Sequence, residues 1–130
     1  MCGIGGFANP FGDYTGEESR WRAILEHMNR AQKHRGPDDE GVLLYPHCGL
    51  AHVRLSIIDL KTGHQPMTVQ KDAYTYSIVY NGEIYNMKEL KKELIKQGEV
   101  FSTSSDTEVI LKGYVREGAS YVKKLNGIFA

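Results

Sequence analysis

The sequence has 130 residues and balances 16 Lys and Arg against 16 Asp and Glu, which removes any field-driven argument for nucleic acid or an anionic membrane as partner. A chain of this size buries one core, so one domain is expected. No apolar stretch approaches the ~20 residues of a membrane span, the N-terminus lacks the features of a signal peptide, and Cys2 and Cys48 are too few for a disulfide framework. A cytoplasmic protein with reduced thiols is the expectation.

In chain order, Gly3 to Ala8 reads as a first strand whose three glycines around Ile4 and Phe7 suit close approach by other backbone or by a ligand. Cys2 precedes it. Once Met1 is trimmed, that cysteine carries both a thiol and a free α-amino group able to take a proton near neutral pH, which is an activated nucleophile. The plain alternative is a small buried cysteine at the start of an edge strand. After a loop at Asn9-Pro10-Phe11-Gly12-Asp13, a helix is expected from Glu17 to about Lys33. Trp21, Ile24, Leu25, Met28 and Ala31 form its apolar stripe, and Thr15 or Gly16 lies at its cap. The helix stops before His34-Arg35-Gly36-Pro37-Asp38-Asp39-Glu40-Gly41, a polar loop punctuated by Pro37.

Val42 to Tyr45 and Gly49 to Val53, separated by Pro46-His47-Cys48, predict a hairpin, and Arg54 to Leu60 continues as an extended piece. The alternation of Tyr74, Tyr76, Ile78 and Tyr80 predicts a strand from Ala73 to Tyr80 that runs into Asn81-Gly82. A helix then starts at Asn86, read as an N-cap with Glu89 completing a capping box and Met87, Leu90, Leu94 and Ile95 as its buried stripe. Asn-Gly at a turn between strand and helix puts a side-chain amide and a backbone N–H where both can face open space, and these are oxyanion-hole donors by type. Ser105 and Glu108 predict a second capping box and a helix through Val109, Ile110, Leu111, Tyr114 and Val115. Asp106 falls in its first turn, where the helix dipole alone would explain a carboxylate. A short helical stretch with Tyr121, Val122 and Leu125 leads to Asn126 and to an apolar run that ends at Ala130, read as a strand just beginning. The chain is therefore expected to be part of something longer.

Cys2-Gly3-Ile4, His34-Arg35-Gly36-Pro37-Asp38, Ala51-His52-Val53-Arg54-Leu55-Ser56-Ile57-Ile58-Asp59, Gln65-Pro66-Met67, Tyr80-Asn81-Gly82-Glu83-Ile84-Tyr85-Asn86 and Ser105-Asp106-Thr107-Glu108-Val109-Ile110 occur in one order along nearly the whole chain. Together they resemble the N-terminal glutaminase domain of the glutamine-hydrolysing asparagine synthetases. Hexose-phosphate and phosphoribosyl amidotransferases share the terminal cysteine and an Asn-Gly pair, but not usually the longer blocks. The resemblance implies an α+β fold, the four-layer α/β/β/α sandwich of N-terminal nucleophile hydrolases. Residues 1–130 would be a glutamine amidotransferase type 2 domain, incomplete at its C-terminal end and without the synthetase domain that follows it in the family.

By the same resemblance Cys2 is the nucleophile that attacks the side-chain amide of glutamine, with its own amine as proton shuttle. The Asn81 amide and the Gly82 N–H form the oxyanion hole. Arg54 takes the α-carboxylate of glutamine in a forked pair that lysine could not copy. Asp106, helped by Glu83, accepts the α-ammonium group, and Leu55, Ile57 and Ile58 complete the substrate-binding set. The resemblance assigns no catalytic step to His34, Arg35 or Asp38, which are expected to shape the glutamine pocket or the interface with the absent synthetase domain. The reaction implied is hydrolysis of glutamine to glutamate and ammonia with no cofactor in this part of the chain. ATP and magnesium belong to the synthetase domain, the domain's partner, and a homodimer is allowed for the full-length protein.

Other readings stay open. The same front half could serve another amide-forming synthetase, since these residues do not define the ammonia acceptor. Retention of Met1 would block the amine and leave a non-catalytic module. A metal centre built from Cys2, His47, Cys48, His52 and His64 is disfavoured, because no paired zinc-type spacing occurs.

Overall fold

Strand β1 (Gly3–Ala8) lies at one edge of a three-stranded antiparallel sheet, ordered β1-β3-β2, with β2 spanning Asp39–Tyr45 and β3 spanning Cys48–Arg54. The computed structural model describes residues 2–56 and 63–130. These fall into two units. The first draws on residues 2–56, His64–Pro66 and Val79–Asn81, and the second on Gly63, Met67–Ile78 and Gly82–Ala130.

In the first unit β3 is the central strand, flanked on both sides, with Gly3 opposite Val53 and Asp39 opposite Arg54. Ala51 and Val53 are fully buried on it. Helix α1 (Glu18–Ala31) packs on one face through Leu25, which is also fully buried. Just past the helix, the Gln32 side chain lies close over β1: a Cβ on Gly3 would sit 2.4 Å from its Oε1, and one on Gly5 would sit 3.3 Å from its Nε2. Successive residues alternate between faces, so Ile4, His52 and Arg54 point away from α1. Phe7, Tyr14 and Trp21 cluster at the far end of β1, with ring centroids 4.6 to 5.2 Å apart.

Several local expectations change. Among the described residues no side chain caps α1; a 3-10 turn over Thr15–Glu17 precedes it, and Thr15 is instead held by Asp13 Oδ1, which accepts from both its N–H and its hydroxyl. The helix ends at Ala31, and Lys33–Arg35 forms a further 3-10 turn. Ala31 is exposed, whereas Asn29 is buried and donates to Gly41 O at 3.1 Å. Polarity hid it from a stripe read by hydrophobicity.

In the second unit, β4 (Met67–Lys71) and β5 (Tyr74–Ile78) form an antiparallel hairpin, with Asp72 in the left-handed region at φ 55°. Strand β4 escaped the sequence reading because Met67 and Val69 are its only apolar residues. Strand β6 (Gly82–Ile84) pairs with β7 (Gly127–Phe129). Helix α2 covers Met87–Lys96 and helix α3 covers Asp106–Glu117. Leu90, Leu94, Val109, Ile110, Leu111 and Tyr121 supply this unit's core, while Ile95 is 52% exposed and drops out of the expected stripe.

Both capping boxes resolve differently from expectation. Asn86 precedes α2 but makes no cap bond; its Nδ2 donates to Lys124 O at 2.8 Å and its Oδ1 accepts from Asn126 N at 3.0 Å. Ser105 does cap α3, accepting from Thr107 N at 3.1 Å. Glu108 does not return to Ser105; its carboxylate accepts from the backbone N–H and hydroxyl of both Ser102 and Thr103. Burial alone would raise the Glu108 pKa, but those bonds and Lys112 outweigh it and hold the carboxyl at about 2.

Candidate active site

Cys2 stands immediately before β1, at the end of the strand opposite Cys48, and both are free thiols. Its position is set by residues that follow much later. Arg35 Nε donates to the Cys2 carbonyl oxygen at 3.1 Å, and the Cys2 thiol lies 3.9 Å from Leu55 O. The polar loop after α1 is thus tied to the backbone of Cys2, giving Arg35 a place that the sequence left open.

The same loop grips the end of β3. Asp38 N donates to Arg54 O at 3.0 Å, Asp38 Oδ2 accepts from Ser56 N at 2.7 Å, and Pro37 bridges to Arg54. Gly36 makes this fit possible, because a Cβ there would lie 2.4 Å from Val53 C and 2.5 Å from Arg54 N. His34 is exposed and takes no part in these contacts. Arg54 is only 7% exposed, on the last position of β3, so its guanidinium is held in a nearly desolvated place where charge recognition is strong.

Asn81 belongs to the first unit and is half-buried, at the point where the chain leaves for β6. The residue before it is held at both of its peptide groups. Tyr80 N donates to Gln65 Oε1 at 2.6 Å, and Tyr80 O accepts from His52 Nε2 at 3.2 Å. His52 is fully buried, and that burial lowers its pKa despite the raising effect of the Tyr80 carbonyl and of Asp39. A carbonyl oxygen only accepts, so the Nε2 that faces it carries the proton. His52 and Gln65 lie within sequence blocks already noted, but their link to Tyr80 spans 28 and 15 residues and no spacing rule exposes it.

In the second unit Gly82 and Glu83 lie on β6, opposite Phe129 and Ile128. Asp106, at the start of α3, accepts from Ile84 N at 3.4 Å, so the structure brings Glu83, Ile84 and Asp106 to one locality. The predicted Ile57 and Ile58 lie outside the described residues. Among the described residues no group of three or more His, Cys, Asp or Glu side chains is placed to hold a metal ion, and no helix is long and apolar enough to cross a membrane.

Antiparallel strands packed with helices make this an α+β protein with the fold of the N-terminal nucleophile hydrolases. The solved structures agree: the chain is similar to a glutamine phosphoribosylpyrophosphate amidotransferase from B. subtilis complexed with ADP and GMP, at 28% identity and TM-score 0.55 over 67% of this chain and 21% of that one. The chain belongs to the glutamine amidotransferase domain family, whose model matches residues 1–130. Over its whole length it is 39% identical to the glutamine-hydrolyzing asparagine synthetase 3 of Bacillus subtilis, covering 20% of that protein. It is likewise 42% identical to the glutamine-hydrolyzing asparagine synthetase of Sandersonia aurantiaca, covering 23%. The chain spans about a fifth of the length of these relatives.

Proposed function

We propose that this chain hydrolyses glutamine to glutamate and ammonia, and that in a longer protein the ammonia serves ATP-dependent synthesis of asparagine from aspartate. The observation that carries the reading is the seating of Cys2: its carbonyl held by Arg35 Nε at 3.1 Å and its thiol 3.9 Å from the carbonyl of Leu55, the residue after Arg54. A backbone pinned in this way fixes the nucleophile before substrate arrives.

In the mechanism, the Cys2 thiol attacks the side-chain carbonyl carbon of glutamine while the α-amine of Cys2 takes the thiol proton. The oxygen of the tetrahedral intermediate is stabilised by the Asn81 amide and the Gly82 N–H. Collapse breaks the C–N bond, the proton passes to the leaving nitrogen, and ammonia departs from a γ-glutamyl thioester. Water then attacks the thioester, its proton returns through the amine, and glutamate leaves with the thiol restored. Arg54 would bind the α-carboxylate and Asp106 with Glu83 the α-ammonium group, and Leu55 would complete the substrate-binding set. No cofactor enters these steps; ATP and magnesium would act in a C-terminal synthetase domain, which is also the expected partner, in the cytoplasm.

The reading is tested by intact-mass measurement after incubation with an electrophilic glutamine analogue. One adduct, mapped to Cys2 on protein lacking Met1 and abolished by Cys2→Ala, is the expected result. Protein lacking Met1 that neither forms the adduct nor releases ammonia from glutamine would overturn it.

A further inference from the structure

Between the end of β5 at Ile78 and the start of β6 at Gly82, the chain Val79–Asn81 belongs to no strand, so its backbone groups find partners other than a sheet ladder. At Tyr80 those partners are two side chains. Gln65 Oε1 holds the Tyr80 N–H at 2.6 Å, and His52 Nε2 holds the Tyr80 carbonyl at 3.2 Å. That carbonyl is half of the rigid peptide group whose other half is the Asn81 N–H. Two successive peptide planes are therefore anchored, and the two backbone angles between them are fixed. The direction in which Asn81 leaves the second plane is fixed with them.

We propose that His52 and Gln65 are positioning residues for the Asn81 amide, setting where it meets the developing oxyanion; the inference rests on the glutaminase reading above. Both side chains are buried. His52 lies on the central strand β3, paired with Ile4 on one side and Gly41 on the other, and is fully buried. Gln65 is 5% exposed. His52 is also an odd choice for packing alone, because among the described residues its Nδ1 is buried without a partner. A core that needed only volume would be better served by leucine, which leaves no polar atom unpaired. The imidazole is retained for the bond made by its other nitrogen. Its burial and lowered pKa agree with a neutral ring that donates constantly to Tyr80.

The test compares His52→Leu, His52→Asn, His52→Gln and Gln65→Leu in the protein at the length in which it is naturally made. Four quantities are read: kcat and KM for glutamine, affinity for glutamate, and affinity for the γ-aldehyde of glutamate. The aldehyde adds the Cys2 thiol across its carbonyl to give a hemithioacetal, whose oxygen takes the place of the oxyanion. His52→Leu and Gln65→Leu are expected to lower kcat about ten- to hundredfold, below or near the loss of one oxyanion donor, and to weaken the aldehyde in step. KM and glutamate affinity should move less than about threefold, since the α-carboxylate and α-ammonium contacts remain. His52→Gln, which keeps an N–H at similar reach, should recover most of the loss; His52→Asn, polar but shorter, should not. That pair keeps the test decisive even where a leucine variant fails to fold. Unchanged kcat and aldehyde affinity in folded variants, or equal losses in all four quantities, would overturn the inference alone. An unsubstituted protein that neither turns over glutamine nor takes up the aldehyde would overturn the functional reading and this inference with it.

Discussion

Arg35 Nε donates to the carbonyl oxygen of Cys2 at 3.1 Å across 33 residues of chain. The bond fixes the backbone that carries the Cys2 thiol. Arg35→Ala is expected to slow adduct formation at Cys2 and glutamine turnover by about tenfold or more, the scale of a lost charge-assisted hydrogen bond. Arg35→Lys should restore little, because lysine has no donor at the Nε branch point. Alkylation rates followed by mass would show it, and equal rates in all three proteins would exclude a role for this bond.

The close approach of Gly36 to β3 gives a second expectation. A methyl group there meets the backbone at Val53 and Arg54, which cannot rotate away as a side chain could. Gly36→Ala should cost roughly 1–3 kcal/mol, as overpacking does. It should also displace Asp38 from Ser56 and Arg35 from Cys2. Urea unfolding and turnover measured on the same variant should both fall.

Asn86 distinguishes a cap from a clamp. Its side chain bonds to Lys124 O and Asn126 N and leaves the end of α2 uncapped. Serine, a good N-cap, cannot span both contacts. Asn86→Ser should therefore destabilise nearly as much as Asn86→Ala, by about 1–2 kcal/mol. A serine variant as stable as the parent would return Asn86 to the role of a helix cap.

Glu108 makes stability depend on acid. Its folded pKa, about 2, lies below its ordinary value of 4.5, so the stabilisation is fully present above about pH 4.5. As pH falls towards 2, protons bind the unfolded chain first, and the contribution is gone below the folded value. At ~1.4 kcal/mol per unit it amounts to roughly 3 kcal/mol. Denaturant titrations across this window should show the loss in the parent protein, and Glu108→Gln should flatten that part of the profile.

Legibility in the sequence followed the range of the interactions. Strand β1 and the β2–β3 hairpin were readable because alternation, glycine and a turn at Pro46-His47 are local signals, and the observed register places Tyr45 opposite Cys48. The approach of Arg35 to Cys2 was not, since a polar loop carries no mark of where it folds back. Glu108 shows a subtler failure. The Ser105–Glu108 spacing is that of a capping box, yet the carboxylate turns to Ser102 and Thr103, where four donors compete successfully with one. Among the proposed site residues, chemistry-bearing types were visible as blocks, whereas the supports His52 and Gln65 were masked by ordinary core and loop surroundings. Only the folded chain shows that both reach Tyr80.

The sequence has a single tryptophan, and its ring centroid stands 5.2 Å from that of Phe7 on β1. The strand that follows Cys2 therefore also touches the only indole in the chain. Its emission spectrum and quenching should respond when β1 is seated or released, while the second unit contains no indole to blur the signal. Stopped-flow fluorescence could thus follow seating of β1 in real time, without an attached dye and without substrate.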